Sequence, residues 1–213
     1  LSILFLKDKK REAPKQQKST SIFSFLQYWK ESPAMYRKVV IGLLAFTLFN
    51  SSDVFLLLKA RQAGLSDTMV IGVYIFYNLV YALFAFPIGA IADKVGLKTT
   101  FISGLVFFAL VYFGFSFVSN VYLFFGLFFL YGIYAAATEG ISKAWISNIT
   151  DKKDTATAIG TYAGFQSIAT MIASSLAGII WYQFGAGATF LLAGGITVLV
   201  IVYFILFIPT IKG

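Results

Sequence analysis

The chain has 213 residues, of which 59% are apolar and 12% are charged. Soluble domains carry about 25% charged residues, so this composition excludes an ordinary soluble protein. The absence of Cys and His excludes disulfides, thiolate chemistry, haem ligation by His and His-based proton relays. Because the carboxylates are not clustered at metal-ligand spacing either, we expect no cofactor, no metal and no enzymatic activity.

The start of the chain is predicted to lie on the cytoplasmic side of a membrane. Residues 1–6 are apolar and lead directly into the basic run at residues 7–11. This order indicates the cytoplasmic end of a preceding transmembrane helix, because a signal peptide places its charges before its apolar run. Residues 7–37 are therefore predicted to form a cytoplasmic linker, which begins polar and rich in Lys and Gln.

An amphipathic helix is predicted over about residues 21–30 of this linker. Its apolar residues recur at i, i+3, i+4 and i+7, and they are Ile22, Phe25, Leu26 and Trp29. This spacing favours a short helix on the inner membrane surface, with Trp at the level of the headgroups. The alternative is a loop that packs on the domain underneath.

The rest of the chain, residues 38–213, contains six stretches of about 20 mostly apolar residues, the length that crosses the hydrocarbon layer. Backbone polar groups in lipid must bond within their own segment, so each stretch is predicted to be helical. The chain is therefore predicted to be an all-α membrane protein with six transmembrane helices. The stretches are Val39–Leu58, Thr68–Ile91, Thr99–Phe117, Val121–Ile146, Ala158–Trp181 and Ala188–Ile208.

The net charge of +8 is distributed unevenly across the predicted membrane. Fourteen Lys and Arg residues flank the inner sides of the predicted spans, whereas the outer loops hold only Lys59 and Arg61. Both ends of this multi-pass chain are therefore predicted to be cytoplasmic. The same charge favours anionic lipid headgroups, so we expect membrane lipid as a partner and exclude nucleic acid.

An internal repeat occurs at an offset of 89 residues, a distance that corresponds to three predicted spans. The matching residues are Gly89, Gly96, Thr100 and Phe101 near the end of the second span, and Gly178, Gly185, Thr189 and Phe190 near the end of the fifth. Because three spans separate the two copies, they face opposite sides of the membrane. This pattern is typical of an inverted 3+3 repeat, and the loss of charge from the second copy agrees with the topology.

The short cytoplasmic loop after the second span reads Gly89-x-x-x-Asp93-Lys94-x-Gly96-x-Lys98. It resembles the loop motif of the major facilitator superfamily, Gly-x-x-x-Asp-Arg/Lys-x-Gly-Arg-Arg/Lys, although Leu97 replaces one basic residue. That family carries the motif in each half of a twelve-helix fold. The resemblance implies that this chain is the C-terminal six-helix half of such a transporter in a plasma (bacterial inner) membrane. Its partner would be the N-terminal six-helix half of the same protein.

The loop motif also predicts a cytoplasmic gate. Its glycines allow helices to approach closely, and Asp93 is suited to a helix N-terminus or a basic partner. Such a contact would latch the inner ends of neighbouring spans in one conformation and release them in the other. The alternative is an ordinary turn whose basic residues only set the topology.

A substrate cavity is predicted from polar side chains that share faces of the spans, because such groups usually face a protein interior or water. One stripe follows the second span and another follows the fifth, and helix packing is the alternative for the tyrosines. Gly160 and Gly164 on the fifth span indicate instead a site of close helix packing. The predicted cavity residues are Asn50, Tyr74, Tyr77, Asn78, Tyr81, Thr138, Gln166 and Thr170.

The third and sixth spans are nearly uniformly apolar. Their side chains include Phe101, Phe107, Phe108, Phe113, Leu191, Leu192, Val198 and Val200. We expect both spans to face lipid on the outside of the bundle, the position that the family resemblance also implies for them.

Asp53 in the outer third of the first span is a candidate coupling residue. Its carboxylate could bind a proton or another cation. Two alternatives remain open, namely a wetted residue at the outer mouth and an ion-pair partner for Lys59 or Arg61.

Glu139 and Lys143 on the fourth span are the other coupling candidates. Their i, i+4 spacing with Glu first favours a helical ion pair, which predicts a structural or gating contact. If Lys143 extends toward the inner surface, Glu139 is left able to exchange a proton. The pair, with Gly140 and Ala144, is similar to a Glu-Gly…Lys-Ala signature of a bacterial subgroup of the family.

These features together predict a secondary active transporter that moves a small organic solute by alternating access, coupled to protons. The chain has no Walker-type phosphate-binding loop and therefore no means of hydrolysing ATP. The alternative is a receptor or scaffold that keeps the same fold without transporting, because a fold does not fix a function.

Overall fold

The structure is a computed structural model and describes residues 24–118 and 120–209. This part of the chain consists of seven helices and short connections, without strands, so the predicted all-α class is confirmed. The helices are α1 Ser24–Glu31, α2 Ala34–Thr47, α3 Val54–Gln62, α4 Asp67–Val95, α5 Leu97–Phe117, α6 Val121–Asn148 and α7 Thr155–Phe207.

Four helices among the described residues are long and apolar enough to cross a membrane, namely α4, α5, α6 and α7. The predicted second, third and fourth spans lie within α4, α5 and α6 in that order. The predicted fifth span lies in α7, and the sixth ends one residue beyond it. Two departures from simple spans occur, one inside α7 and one between α2 and α3.

The 53-residue helix α7 folds back on itself at Gly185, where the backbone has φ 83° and ψ 170°. A straight helix of this length would extend about 80 Å at 1.5 Å per residue. Instead, Tyr36 donates a hydrogen bond to the carbonyl of Ala158 at 2.8 Å, and Tyr203 donates one to the carbonyl of Lys38 at 2.9 Å. Both ends of α7 therefore lie beside the start of α2. Its two segments, 155–184 and 186–207, are each long enough to cross a bilayer.

The repeat seen in the sequence has the same backbone geometry in both copies. Gly96 has φ +95° and Gly185 has φ +83°, a region that glycine enters without steric cost. The Thr100 hydroxyl donates to the Gly96 carbonyl at 3.2 Å, and the Thr189 hydroxyl donates to the Gly185 carbonyl at 3.2 Å. Gly96 directly precedes α5, whereas the turn at Gly185 lies near the other end of α5. Equivalent turns at opposite ends of one helix are what an inverted repeat requires.

The first predicted span, Val39–Leu58, is not a continuous helix. α2 ends at Thr47 and α3 begins at Val54, so residues 48–53 interrupt it. The interruption contains four consecutive polar residues, Asn50-Ser51-Ser52-Asp53, whose side chains compete with the helical hydrogen bonds of the backbone. Hydropathy alone did not reveal the break, because apolar residues flank it on both sides.

The apolar third span has one face buried in the bundle and one exposed face, since Val106 and Leu110 are exposed. Phe101 and Phe108 of α5 are buried, because α5 packs against both α6 and α7. The second segment of α7 has both buried and exposed apolar side chains, since Val200 is buried while Leu191, Leu192 and Val198 are exposed. Uniform hydrophobicity did not show which face of each helix packs against protein and which face is exposed.

α1 covers most of the predicted amphipathic segment and packs on the bundle. The Trp29 ring lies 5.4 Å from the Phe165 ring, and the Tyr28 ring lies 5.3 Å from that of Tyr36. The segment is therefore helical, as the periodicity predicted, but Trp29 contacts protein. The proposed membrane-surface position stays a prediction, and the assignments to residues 1–23, including Ile22, fall outside the described residues.

Helices α4 and α6 approach each other closely at Gly132. A Cβ atom at this position would lie 2.7 Å from the Tyr77 carbonyl oxygen and 2.7 Å from the Val80 Cβ atom. Both contacts are shorter than real Cβ contacts allow, and one of them involves backbone that cannot rotate away. The glycine is therefore required by the contact between these two helices.

We expect Gly132→Ala to lower the unfolding temperature of the protein by several degrees, because overpacking a tight contact costs about 1–3 kcal/mol. Thermal unfolding of the purified full-length protein in detergent measures this. Gly126→Ala on the same helix is the control, since a Cβ atom there would meet nothing within 4 Å. Equal unfolding temperatures for the two variants would show that the α4–α6 contact is looser than described.

Candidate solute cavity

A cavity of about 620 Å³ lies between α2, α4, α6 and the first segment of α7. All eight side chains predicted for the cavity line it, as do the three coupling candidates. Their roles stay predictions, but the structure brings these residues, which come from three helices and the α2–α3 break, to one site. They are Asn50, Tyr74, Tyr77, Asn78, Tyr81, Thr138, Gln166 and Thr170, together with Asp53, Glu139 and Lys143.

Asp53 is held in the cavity wall by two phenols. Its carboxylate accepts a hydrogen bond from Tyr131 at 2.5 Å and another from Tyr77. Both tyrosines are almost fully buried, at 3% and 5% exposure. Of the two cations considered as partners in the sequence, Arg61 instead pairs with Asp67 at 3.1 Å. Within the described residues Asp53 has no salt bridge, so its charge is compensated by phenol donors alone.

The tyrosines along one face of α4 serve both in helix packing and in the cavity wall, the two alternatives that the sequence left open. Tyr77 packs in the core, with its ring 5.3 Å from that of Tyr131. Tyr74 is exposed, Tyr81 is half-buried, and both line the cavity with Asn78. One face of α4 therefore supplies both a structural hydrogen bond and an open aromatic wall.

Several residues of the cavity wall were missed in the sequence. The Asn50 amide donates to the Tyr134 hydroxyl at 2.9 Å, and this tyrosine packs against Phe46 with its ring 6.1 Å away. Tyr131, Tyr134 and Thr138 lie at i, i+3 and i+7 on α6, a spacing that could have identified this face. Tyr162 and Ser142 also line the cavity and carried no comparable signal.

The comparison with known families agrees with this arrangement. The sequence profile of the Major Facilitator Superfamily matches residues 39–212, which is most of the chain. The chain belongs to the major facilitator superfamily. It is also 30% identical to an uncharacterized MFS-type transporter of Methanocaldococcus jannaschii, over 71% of this chain and 40% of that protein. The chain thus matches less than half the length of this relative. As a member of this family, it is an integral, multi-pass membrane protein of a transporter superfamily.

The glycines of the superfamily loop motif were expected to allow close contacts between helices, and the structure shows no such contacts within the described residues. A Cβ atom at Gly89 or Gly96 would meet nothing within 4 Å, so neither glycine serves a close helix contact within the described residues. Gly96 is instead needed for the positive φ of the α4–α5 turn. Asp93 and Lys94 are exposed, and the Lys98 ammonium donates to the Ile208 carbonyl at 2.5 Å. This hydrogen bond ties the α4–α5 turn to the end of α7.

Glu139 and Lys143 do not form the predicted ion pair. No salt bridge joins them within the described residues, and both side chains are exposed. An i, i+4 pair contributes only about 0.2–0.5 kcal/mol, too little to hold the side chains together where both are open to the cavity. Glu139 instead faces the phenol of Tyr81 across the cavity.

The fifth-span glycines are also more open than expected. A Cβ atom at Gly160 or Gly164 would meet nothing within 4 Å, and both residues are exposed. Within the described residues they therefore serve no close packing.

We expect Tyr131→Phe to destabilise the protein, because the substitution keeps the ring but removes a hydrogen bond to the half-buried Asp53 carboxylate. Such bonds contribute about 1.5–3 kcal/mol. Thermal unfolding of the full-length protein should show a decrease of several degrees. Tyr122→Phe on the same helix is the matched control, since Tyr122 is 84% exposed. If both variants unfold at the same temperature as the wild type, the Asp53–Tyr131 hydrogen bond does not stabilise the cavity wall.

Proposed function

We propose that the full-length protein is a secondary active transporter that moves a small organic solute by alternating access, coupled to protons. In this proposal the present chain is the C-terminal six-helix half, and the solute binds between it and the N-terminal half. The observation that carries the proposal is the cavity, in which phenol rings, amides and two carboxylates meet on otherwise apolar helices. Intramembrane polar groups of this kind mark solute and ion pathways.

The mixed lining of the cavity favours a small organic molecule with both apolar and hydrogen-bonding parts. Tyr74 and Tyr81 offer aromatic faces, while Asn78, Gln166 and Thr170 offer polar groups. Small-molecule sites are commonly apolar walls with a few placed polar groups. The exposed Glu139 and Lys143 would face the N-terminal half or the solute.

Proton coupling is assigned to Asp53 or Glu139, the two carboxylates of the cavity. Asp53 has no cationic partner among the described side chains, and Glu139 is not paired with Lys143. A carboxylate that lacks a fixed cation can be neutralised by a proton, and this changes the charge of the cavity by one unit.

The cytoplasmic gate and the topology belong to the same proposal. Asp93 and Lys94 project from the α4–α5 turn and are available to a partner on the other half. The positive-inside distribution supports cytoplasmic termini in a plasma membrane, here the bacterial inner membrane. The Glu139-Gly140 and Lys143-Ala144 pairs support membership of the bacterial subgroup with that signature.

Double substitution of Asp53→Asn with Glu139→Gln is expected to reduce proton-driven solute flux at least tenfold, because neither amide can carry the proton. Proteoliposomes that contain the full-length protein and an internal pH dye report the flux when a panel of sugars, amino acids and organic amines is applied. The matched control is Asp151→Asn with Glu31→Gln, since both carboxylates are exposed outside the cavity. Unchanged flux in the cavity variant would place coupling in the N-terminal half.

The alternative function is a receptor or scaffold with this fold. It predicts that a compound from the same panel binds the purified protein, for example by raising its unfolding temperature, while no compound crosses the proteoliposome membrane. Flux of any compound at a rate above that of empty liposomes contradicts this alternative.

A further inference from the structure

The break between α2 and α3 leaves a group of backbone carbonyls without hydrogen bonds in the described part of the chain, and two of the residues concerned, Asn50 and Ser51, line the cavity. The helical pattern ends at Asn50, whose backbone N–H donates to the carbonyls of Phe46 at 3.0 Å and Thr47 at 3.2 Å. The next four carbonyl oxygens, those of residues 48–51, accept no hydrogen bond from the described residues. They follow the C-terminal end of α2, where the helix dipole places partial negative charge.

Side-chain oxygens without partners lie at the same break. The Ser51 hydroxyl and the Asn50 amide oxygen are buried and have no hydrogen-bond partner among the described residues. Ser51 is only 6% exposed, and it lines the cavity. The Tyr112 hydroxyl is fully buried and lies beside the Ser51 hydroxyl, near Asp53. Buried polar atoms normally have a partner, so this cluster indicates a bound species.

The charge of the cluster identifies that species as a cation. Asp53 contributes one negative charge, and no cationic side chain within the described residues forms a salt bridge to it. The titratable groups that face Asp53 are phenols, namely Tyr77 from α4, Tyr112 from α5 and Tyr131 and Tyr134 from α6. The other charged residues of the cavity, Glu139 and Lys143, lie on α6 two to three helical turns beyond Tyr131. A bound water would satisfy the oxygens but would bring no positive charge to the carboxylate.

We infer that the α2–α3 break is a binding site for a small inorganic monovalent cation of the Na⁺ type. Its oxygens are the Asp53 carboxylate, the Asn50 amide oxygen, the Ser51 hydroxyl and the free backbone carbonyls of Asn50 and Ser51. Hard cations take oxygen ligands, and unwound helix segments supply such ligands to Na⁺ in transporters. One carboxylate matches one positive charge, and the described residues contain no acidic cluster for a divalent metal.

This inference goes beyond the proposed function, because binding of Na⁺ is independent of which solute is moved. A proton and Na⁺ draw on the same carboxylate, so only one of them neutralises Asp53 at a time. The site would thus make the state of the cavity depend on a second ion besides the proton.

The test is binding of Na⁺ to the purified full-length protein in detergent, at constant ionic strength with choline as the replacement cation. We expect Na⁺ to raise the unfolding temperature saturably by a few degrees, as ligands of the folded state do, and choline to have no such effect. Radioactive ²²Na⁺ should bind with a stoichiometry of one. Asp53→Asn should abolish binding, and Ser51→Ala should weaken it at least threefold.

Ser103→Ala is the matched control, because this serine is exposed on α5 and its hydroxyl donates to the Thr99 carbonyl. It should bind Na⁺ as the wild type does. Size-exclusion chromatography establishes that each variant is folded before ²²Na⁺ is measured. Equal effects of Na⁺ and choline, or unchanged ²²Na⁺ binding in the folded Asp53→Asn variant, would overturn the inference.

The outcome separates this site from the proposed function. Proton-driven solute flux without Na⁺ binding overturns the cation site and leaves the transporter proposal intact. Na⁺ binding in a protein that moves no compound of the panel supports the cation site and contradicts the transporter proposal.

Discussion

The hydrogen bonds from Tyr77 and Tyr131 to the Asp53 carboxylate determine how the cavity is built. They place an acidic group on an interrupted helix between two long helices, α4 and α6, whose contact is too close for any residue larger than glycine at Gly132. A carboxylate in an apolar environment is costly unless it is hydrogen-bonded. One requirement therefore explains the position of the break, the buried phenols and the open aromatic wall beside them. Asp53 must stay accessible from the cavity while its carboxylate is hydrogen-bonded by the protein.

Those features of the fold that depend on local composition could be predicted from the sequence. The lengths of α4, α5 and α6 follow from continuous apolar runs, and the turn at Gly185 follows from its match with Gly96. The break at residues 48–53 was missed, since a window of about 20 residues averages over four polar side chains. The burial of Phe101 and Phe108 was also missed, because an apolar residue can meet lipid or protein with little difference in energy.

For the cavity, helical periodicity succeeded where polar residues repeat along one face. Tyr74, Tyr77 and Tyr81 were identified in this way, and they line the same space as Gln166 and Thr170 from α7. Contacts between individual side chains were harder to predict. The spacing of two residues in the sequence shows that they can lie close together, but it does not show whether their polar atoms meet. Glu139 and Lys143 have the ideal separation for an ion pair yet remain apart, whereas the partners of Asp53 are 24 and 78 residues away in the sequence.

The tight contact at Gly132 has a consequence for how the protein moves. Since the Tyr77 carbonyl lies against this glycine, α4 and α6 cannot slide past each other without a steric clash, and their two phenols form a single rigid body. The carbonyls of residues 48–51, just before Asp53, accept no hydrogen bond from the described residues, so the chain can bend there and Asp53 is the movable member of the trio. Any shape change that opens the cavity by moving α3 would then withdraw the acid from a stationary pair of donors, and an ion bound as proposed would be released by the same motion.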